Sequence, residues 1–335
     1  MPNLMIDSIG PGVTVQDLGR PGWTAQGLST GGAADRLALL EAAAILGAPL
    51  HAGLEMMGFG GVFRTDADTR IALTGAQMQA DIDGVPIAPN TSAFLRAGQK
   101  LTIGGAKRGV YGYLCFAGGV TTPQIMQSRA THLTAAIGGL LQAGQTLPIG
   151  KDPDPSAPAL RLTNTDRCAG GVVRVMPGPQ TGFFDAKTRA RFAQTTFTRS
   201  PRGNRQGVRL DHDGEGFTLA GGLNITSDLI VAGDIQMTGD GVPYVLLAEC
   251  QTIGGYPRIG SILPADIPII AQAAPGARLQ CRFVTLAEAD ATAISDAQTL
   301  KSLRSRCAPI IRDPHDIADL LGYQLISGVT AGDDM

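Results

Sequence analysis

Three stretches of this chain are variants of one design. Residues 95–104 read LRAGQKLTIG, residues 141–150 read LQAGQTLPIG, and residues 274–284 read APGARLQCRFV. Each is a glycine-centred turn feeding an alternating strand. Such a unit builds barrels or sandwiches, and its irregular spacing here argues against a solenoid. With 45 glycines and 21 prolines in 335 residues, the rest of the chain also favours turns and short strands. RIALTGAQMQADIDG (70–84) and GVYGYLCFAGGV (109–120) alternate, as do VVRVMPG, GVRLDHDG, DIQMTGDGVPYVLLA and ARLQCRFVTL further on. The Asp-Gly pair in GDGVP is a hairpin closure.

The proline-rich stretch 151–158, KDPDPSAP, is held extended by its prolines and divides the chain. One β-barrel lobe is expected over 1–150, a second over 159–286, and a helical tail over 287–335. The best helix covers 33–46. Only Asp35, Arg36 and Glu41 are polar in it, so it should be buried. Asp35 is expected in its first turn, and Gly47 and Pro49 end it. A second helix is expected near 184–194. The tail reads as one helix from about 287 to 306 and another near 314–321.

Net charge is −2 with no basic run, which argues against nucleic acid or an anionic membrane as partner. Every long apolar stretch is interrupted by Pro, Gly or a charge, so no membrane span is expected. The first residues lack the pattern of a signal peptide. The five cysteines include no Cys-x-x-Cys pair, which suggests reduced thiols and a cytoplasmic protein. No phosphate loop and no complete Gly-x-Gly-x-x-Gly is present. His51, His132, His212 and His315 are scattered, so no metal site is expected, and DHDGEG at Asp211 reads as a charged turn.

Four stretches carry candidate chemistry. In the loop 10–22, Gln16, Asp17 and Arg20 stand among glycines that let backbone approach a ligand. The alternative is a structural turn with Asp17 paired to Arg20. Gly27-Leu-Ser29-Thr-Gly31 matches the nucleophile-elbow pattern without the strand that should precede it, so a loop at a helix start is the default. Arg205 and Arg209 either fork onto a carboxylate or phosphate, sharing one face of a strand, or are solvated. Gln236 and Asp240 flank a turn. Last, ECQTIGGYPRIGS (249–261) sets Gln251, Thr252, Gly254, Gly255 and Tyr256 between apolar runs. A plain hairpin needs fewer special residues, so this loop reads as a binding site, with a barrel-closing turn as the alternative.

GPGVTVQDLGRPG, GLSTGGAAD, QSRATHL, RQGVRL, AGDIQMTGDGVP and QTIGGYPRI, in this order, resemble one family. It is that of the C-type subunit of bacterial ATP-dependent 5-oxoprolinase, also called allophanate hydrolase subunit 2-like or the KipA type. The same domain occurs in the carboxyltransferase part of urea carboxylase. The resemblance covers roughly residues 6 to 285. It implies a mainly β fold with a few helices, in two cyclophilin-like β-barrel lobes. It also implies a B-type sibling of related fold (allophanate hydrolase subunit 1-like) and a further, A-type partner. The implied reaction is ATP-dependent opening of 5-oxoproline to glutamate, with ATP and Mg shared among the partners. Biotin belongs to the alternative, a carboxyltransferase acting on a small amide; a KipA-like regulator is a third reading. In the implied chemistry, Gly254 and Gly255 N–H groups with Arg205 stabilise an oxyanion. Gln16, Gln236 and Gln251 read the amide, Asp17 or Asp240 moves a proton, and Arg20, Arg209, Thr252 and Tyr256 line the substrate site. The chain departs from the family at Asn204 and Gln206, where Asp and Met are usual, and at LLQAG and Gly47-Ala48, which leaves the substrate open to another lactam, amide or urea.

Overall fold

The computed structural model describes residues 1–163, 166–219 and 225–310. Two β lobes form, as expected. The first is a single 11-stranded sheet. Its spine is the antiparallel pair Thr69–Ile82 and Leu101–Phe116, in register from Ile71↔Phe116 to Ile82↔Leu101. The two segments read separately as strands at 95–104 and 109–120 contribute to one 16-residue strand. That strand pairs first with Phe59–Thr65 and then with Gly53–Met57. Register shifts around Gly75, Gln77 and Met78 act as bulges that bend the pair. Phe63, Ile71, Leu101, Ile103, Leu114 and Phe116 fill the core it encloses.

The second lobe is a closed barrel. Its strands run in the order Gly170–Met176, Arg258–Ile262, Asp234–Met237, Pro243–Leu246, Gly207–Asp211, Thr196–Gly203 and Arg278–Phe283. The closing pair, Gly170–Met176 with Arg278–Phe283, is parallel and joins the two ends of the lobe. Closure leaves no free sheet edge. Phe192, Phe197, Phe217, Met237 and Ile259 pack inside and around it.

The repeated segments share a turn. Gly98, Gly144 and Gly276 all have positive φ, at 79°, 84° and 89°. In two of them a glutamine closes the turn: Gln99 Oε1 accepts from Arg96 N, and Gln145 Oε1 from Gln142 N, each at 2.9 Å. The echo in the sequence therefore encodes backbone geometry.

The helix Arg36–Leu46 is buried as expected, but Asp35 is its N-cap and not part of its first turn, accepting from Ala38 N at 3.2 Å. Leu39, Leu40, Ile45 and Leu46 pack against Tyr111, Tyr113, Leu162 and Leu303. The helix Ala186–Gln194 also forms. Ile267–Gln272 is a helix that the apolar run ILPADIPII did not suggest, with Pro268 in its first turn.

The domain boundaries need correction. Leu160–Leu162, placed by the linker in the second lobe, pairs with Thr91–Leu95 of the first sheet. The helix expected from 287 to 306 is two helices, Leu286–Thr292 and Asp296–Arg304. They break because Ser295 forms a capping box with Gln298 and restarts the helix. The second of them packs Leu300 and Leu303 beside the helix Arg36–Leu46. Cys307–Pro309 then pairs with Leu160–Leu162. The chain after the barrel thus returns to the first lobe and straps the two together. The helix expected at 314–321, and His315, lie outside the described residues.

Candidate functional site

Residues 249–261 lie where the lobes meet. They leave the barrel after Pro243–Leu246, form a short ladder in which Ile253–Gly254 pairs with Asp228–Leu229, and re-enter the barrel as Arg258–Ile262. Three cavities open around them. The first, about 430 Å³, is lined by Asn204, Gln206, Gln236, Gln251, Tyr244 and Tyr256, with Arg202 at its wall. The second, about 470 Å³, lies between the lobes. The third, about 370 Å³, is bordered by Ser29, His132, Thr134 and Thr252. Cys250 borders all three. Burial pushes its thiol up to about 12, so it is no nucleophile at neutral pH.

Gly254 is required by close approach. A Cβ there would sit 2.6 Å from Gln236 Nε2 and 2.9 Å from Ile230 Cδ1. Tyr256 is 50% exposed, so its ring is a wall of the cavity and not a core plug. Arg258 anchors the far end of the loop: it donates to Leu229 O and, at 3.1 Å, to Asp234.

Of the residues singled out in the sequence, Gln236, Gln251 and Tyr256 line the first cavity, and Thr252 the other two. Gly254 touches Gln236, and Gly255 lies beside Ser227. The charged candidates are used elsewhere, and none borders these cavities. Asp17 accepts from Gly19 N at 2.8 Å, Ser128 Oγ at 2.6 Å and Arg129 N at 2.7 Å, so it ties the opening loop to a neighbouring one. It makes no ion pair with Arg20. Arg20 is buried, donates to Ala130 O, and has no hydrogen-bond partner at Nη1 among the described residues. Gln16 is buried in a strand and donates to Thr14 Oγ1 and to Thr131 O.

Arg205 and Arg209 do not share a strand face, because Arg205 precedes the strand Gly207–Asp211. Arg209 donates to Asp211 at 2.6 Å. Arg205 is buried, with Nε on Glu249 at 2.6 Å, Nη1 on Glu55 and Nη2 on Gly32 O at 2.6 Å. Its whole fork is consumed, Nη1 and Nη2 in joining the lobes and Nε within the second. Asp240 sits at an exposed hairpin turn, where the Thr238 hydroxyl holds its carboxyl below the usual value. That shift is opposite to the one a proton carrier needs at neutral pH.

A second part of the seam was missed. Arg167 donates to Asp35 at 2.7 Å and bidentately to Glu41 at 2.8 and 2.7 Å. Gln272 joins the lobes by donating to Asp35 at 2.8 Å and accepting from Val110 N at 3.0 Å. Tyr113 donates to Glu55 at 2.7 Å and accepts from Asp35 N at 2.8 Å. One signal was available: a glutamate on an otherwise apolar buried helix demands a buried cation. The contact of Ser29 Oγ with His132 Nε2, at 2.9 Å, had no such signal, since 103 positions separate the two.

Among the described residues, no group of three or more His, Cys, Asp or Glu side chains could hold a metal ion. No helix among them is long and apolar enough to cross a membrane.

The family model "Carboxyltransferase domain, subdomain A and B" matches residues 26–284. Over 285 residues the chain is 32% identical to the C-type subunit of 5-oxoprolinase from Haemophilus influenzae, covering 82% of this chain and 89% of that protein. Over 274 residues it is 34% identical to the C-type subunit of 5-oxoprolinase from Escherichia coli, covering 80% and 87%. The crystal structure of the Kluyveromyces lactis urea carboxylase matches 93% of this chain with a TM-score of 0.78 and 20% identity, a likeness of fold. This chain spans 31% of that structure's length. The closed barrel and the glycine-rich loop at the seam are thus those of a known family: the chain belongs to the carboxyltransferase-domain family, subdomains A and B.

Proposed function

We propose that this chain is the C-type subunit of an enzyme that opens a small cyclic amide, of the 5-oxoprolinase kind, and that its first cavity holds the amide. One observation carries the reading: Asn204, Gln206, Gln236 and Gln251 place four carboxamides around about 430 Å³. A lactam presents one acceptor oxygen beside one N–H donor, and carboxamide side chains complement both. Tyr244 and Tyr256 supply flat walls for a small ring. Gln236 and Gln251 are assigned to read the amide. Gly254, which touches Gln236, and Gly255 beside it are assigned to offer backbone N–H groups to the oxygen as charge develops on it.

Partners of the B and A types are proposed to complete the enzyme and to bind ATP with Mg. The donor set here does not fit that role. Among the described residues, Arg202 is the one charged side chain on the cavity wall, and no carboxylate borders it. No step is therefore routed through ATP in this chain. Five free cysteines among the described residues support a reducing compartment, and we assign the protein to the cytoplasm. The second reading, a biotin-dependent carboxyltransferase component, draws on the family model and would use the same cavity for its amide acceptor.

The test is turnover. The chain is co-expressed with its B- and A-type partners, and glutamate and ADP release are measured from 5-oxoproline and ATP. Gln236→Leu should lower kcat/KM by about 100-fold, because the amide loses a hydrogen-bond partner. Gly254→Ala should lower it about tenfold by displacing the Gln236 amide, while leaving the stability within about 1 kcal/mol of wild type. Full activity in both variants would remove the cavity from the reaction. A stable complex inert on 5-oxoproline but active with carboxybiotin would favour the second reading, and one inert on both would favour a regulator.

A further inference from the structure

Ser29 and His132 take no part in the amide-lined cavity, yet the fold brings them within 2.9 Å. The other ring nitrogen settles which group donates. His132 Nδ1 accepts from Ala135 N–H at 3.2 Å, an N–H that His132 O shares at the same distance. A neutral imidazole carries one N–H, so that proton is on Nε2 and is donated to Ser29 Oγ. Ser29 therefore accepts from His132 and keeps its own hydrogen for another acceptor. Nucleophile activation would require the reverse, with imidazole taking the serine proton.

Ser29 borders both the inter-lobe cavity and the smaller cavity beside it. Gly31 keeps the imidazole close: its φ is +64°, and a Cβ there would lie 2.9 Å from His132 Cδ2. Three charged groups face the ring. Glu249 comes from the seam loop, and its Oε2 accepts from Thr134 N at 3.3 Å and Thr134 Oγ1 at 3.4 Å. Arg20 comes from the opening loop and Arg205 from the turn before Gly207. Burial holds His132 below its ordinary value; Arg20 and Arg205 push the same way and Glu249 opposes. The imidazole is neutral at pH 7.

We infer that Ser29 is a substrate-contacting hydroxyl that donates a hydrogen bond to the carbonyl oxygen of a small amide held between the lobes, with His132 as the positioning residue that locks it as a donor. The class of ligand rests on the function proposed above, here at a second site that meets the first cavity at Cys250 and Gln251; the hydrogen-bond polarity of the pair does not.

The full chain, labelled with ¹⁵N at its four histidines, is titrated with urea, acetamide and 5-oxoproline while the His132 ring nitrogens are followed. The free protein should show the Nε2–H tautomer, and at least one amide should shift the Nε2 signal. Ser29→Ala should weaken that amide about tenfold. Affinity should fade as pH falls below 6.5 through the lowered value of His132, because imidazolium puts a second N–H against Ala135 N–H. His132→Gln keeps a donor that does not titrate and should abolish this acid limb, an effect that a merely structural histidine would not give. An Nδ1–H tautomer, rapid labelling of Ser29 by a fluorophosphonate, unchanged binding in Ser29→Ala, or no response of His132 to any of the three amides would each overturn the inference. Binding of acetamide at Ser29 in a chain whose assembled complex never opens 5-oxoproline would uphold it and sink the proposed reaction.

Discussion

Arg205→Ala is expected to lower the stability of this protein by about 3–5 kcal/mol, the cost of leaving two buried carboxylates without their cation. The guanidinium is shared by Glu55 of the first lobe and Glu249 of the seam loop, and it also holds Gly32 O. Its side chain is 7% exposed and those of Glu55 and Glu249 are 1% and 2%, so solvent screens little. Burial alone would make the guanidinium easier to deprotonate, but Glu55 and Glu249 reverse that and raise its pKa. The charge is therefore present at every working pH, and the loss should not depend on pH near neutrality. Denaturant midpoints measure it. Adding Glu55→Gln and Glu249→Gln to Arg205→Met should recover much of the loss, since replacing a whole buried ion cluster costs far less than breaking it. A midpoint equal to wild type in Arg205→Ala, together with lost activity, would make Arg205 a substrate ligand and contradict the rivet.

What the sequence reveals about this fold depends on the distance over which each feature acts. The turn repeats were legible because a glycine at positive φ and a closing glutamine act within four residues. The buried helix was legible because its composition leaves no polar face. Barrel strands were visible singly, but not the parallel closure of Gly170–Met176 on Arg278–Phe283. That pairing joins the ends of the lobe, and no local pattern encodes it.

The same limit governs the site. Gln236, Gln251, Tyr256 and Gly254 were found because glycine and polar residues cluster in the motifs that carry them. Asp17 and Arg205 cluster equally well, but their partners were invisible: Glu55 lies 150 positions from Arg205, and Ser128 lies 111 from Asp17. A charged residue in a glycine-rich loop can hold a ligand or hold another loop. Only the distant partner decides, and here the loops use their charges on each other. What remains for a ligand in the first cavity is, apart from Arg202, neutral and amide-like.

Raising the pH from 8 to 10 should cost this protein roughly 3 kcal/mol from two thiols alone, with others adding to it. Burial pushes Cys115 and Cys281 up to about 12 from an ordinary 9.0. Cys250 is pushed to about 12 and Cys168 to about 11, and Tyr111 and Tyr113 are also raised. In each case the folded chain binds its proton more tightly than the unfolded chain does. Stability is therefore complete below the unfolded values near pH 9, and it falls as pH rises toward the folded ones. Each fully buried thiol removes about 1.4 kcal/mol per pH unit in that window. Against a typical total of about 5–15 kcal/mol, the effect is large. Thermal midpoints at pH 8, 9 and 10 in reductant measure it, and return to pH 8 should restore the midpoint. Cys115→Ala with Cys281→Ala carries a packing cost at all pH values, so the diagnostic is the slope between pH 9 and 10, which should be shallower than in wild type. An equal slope in that variant would mean that groups other than these thiols set the alkaline limit of the fold.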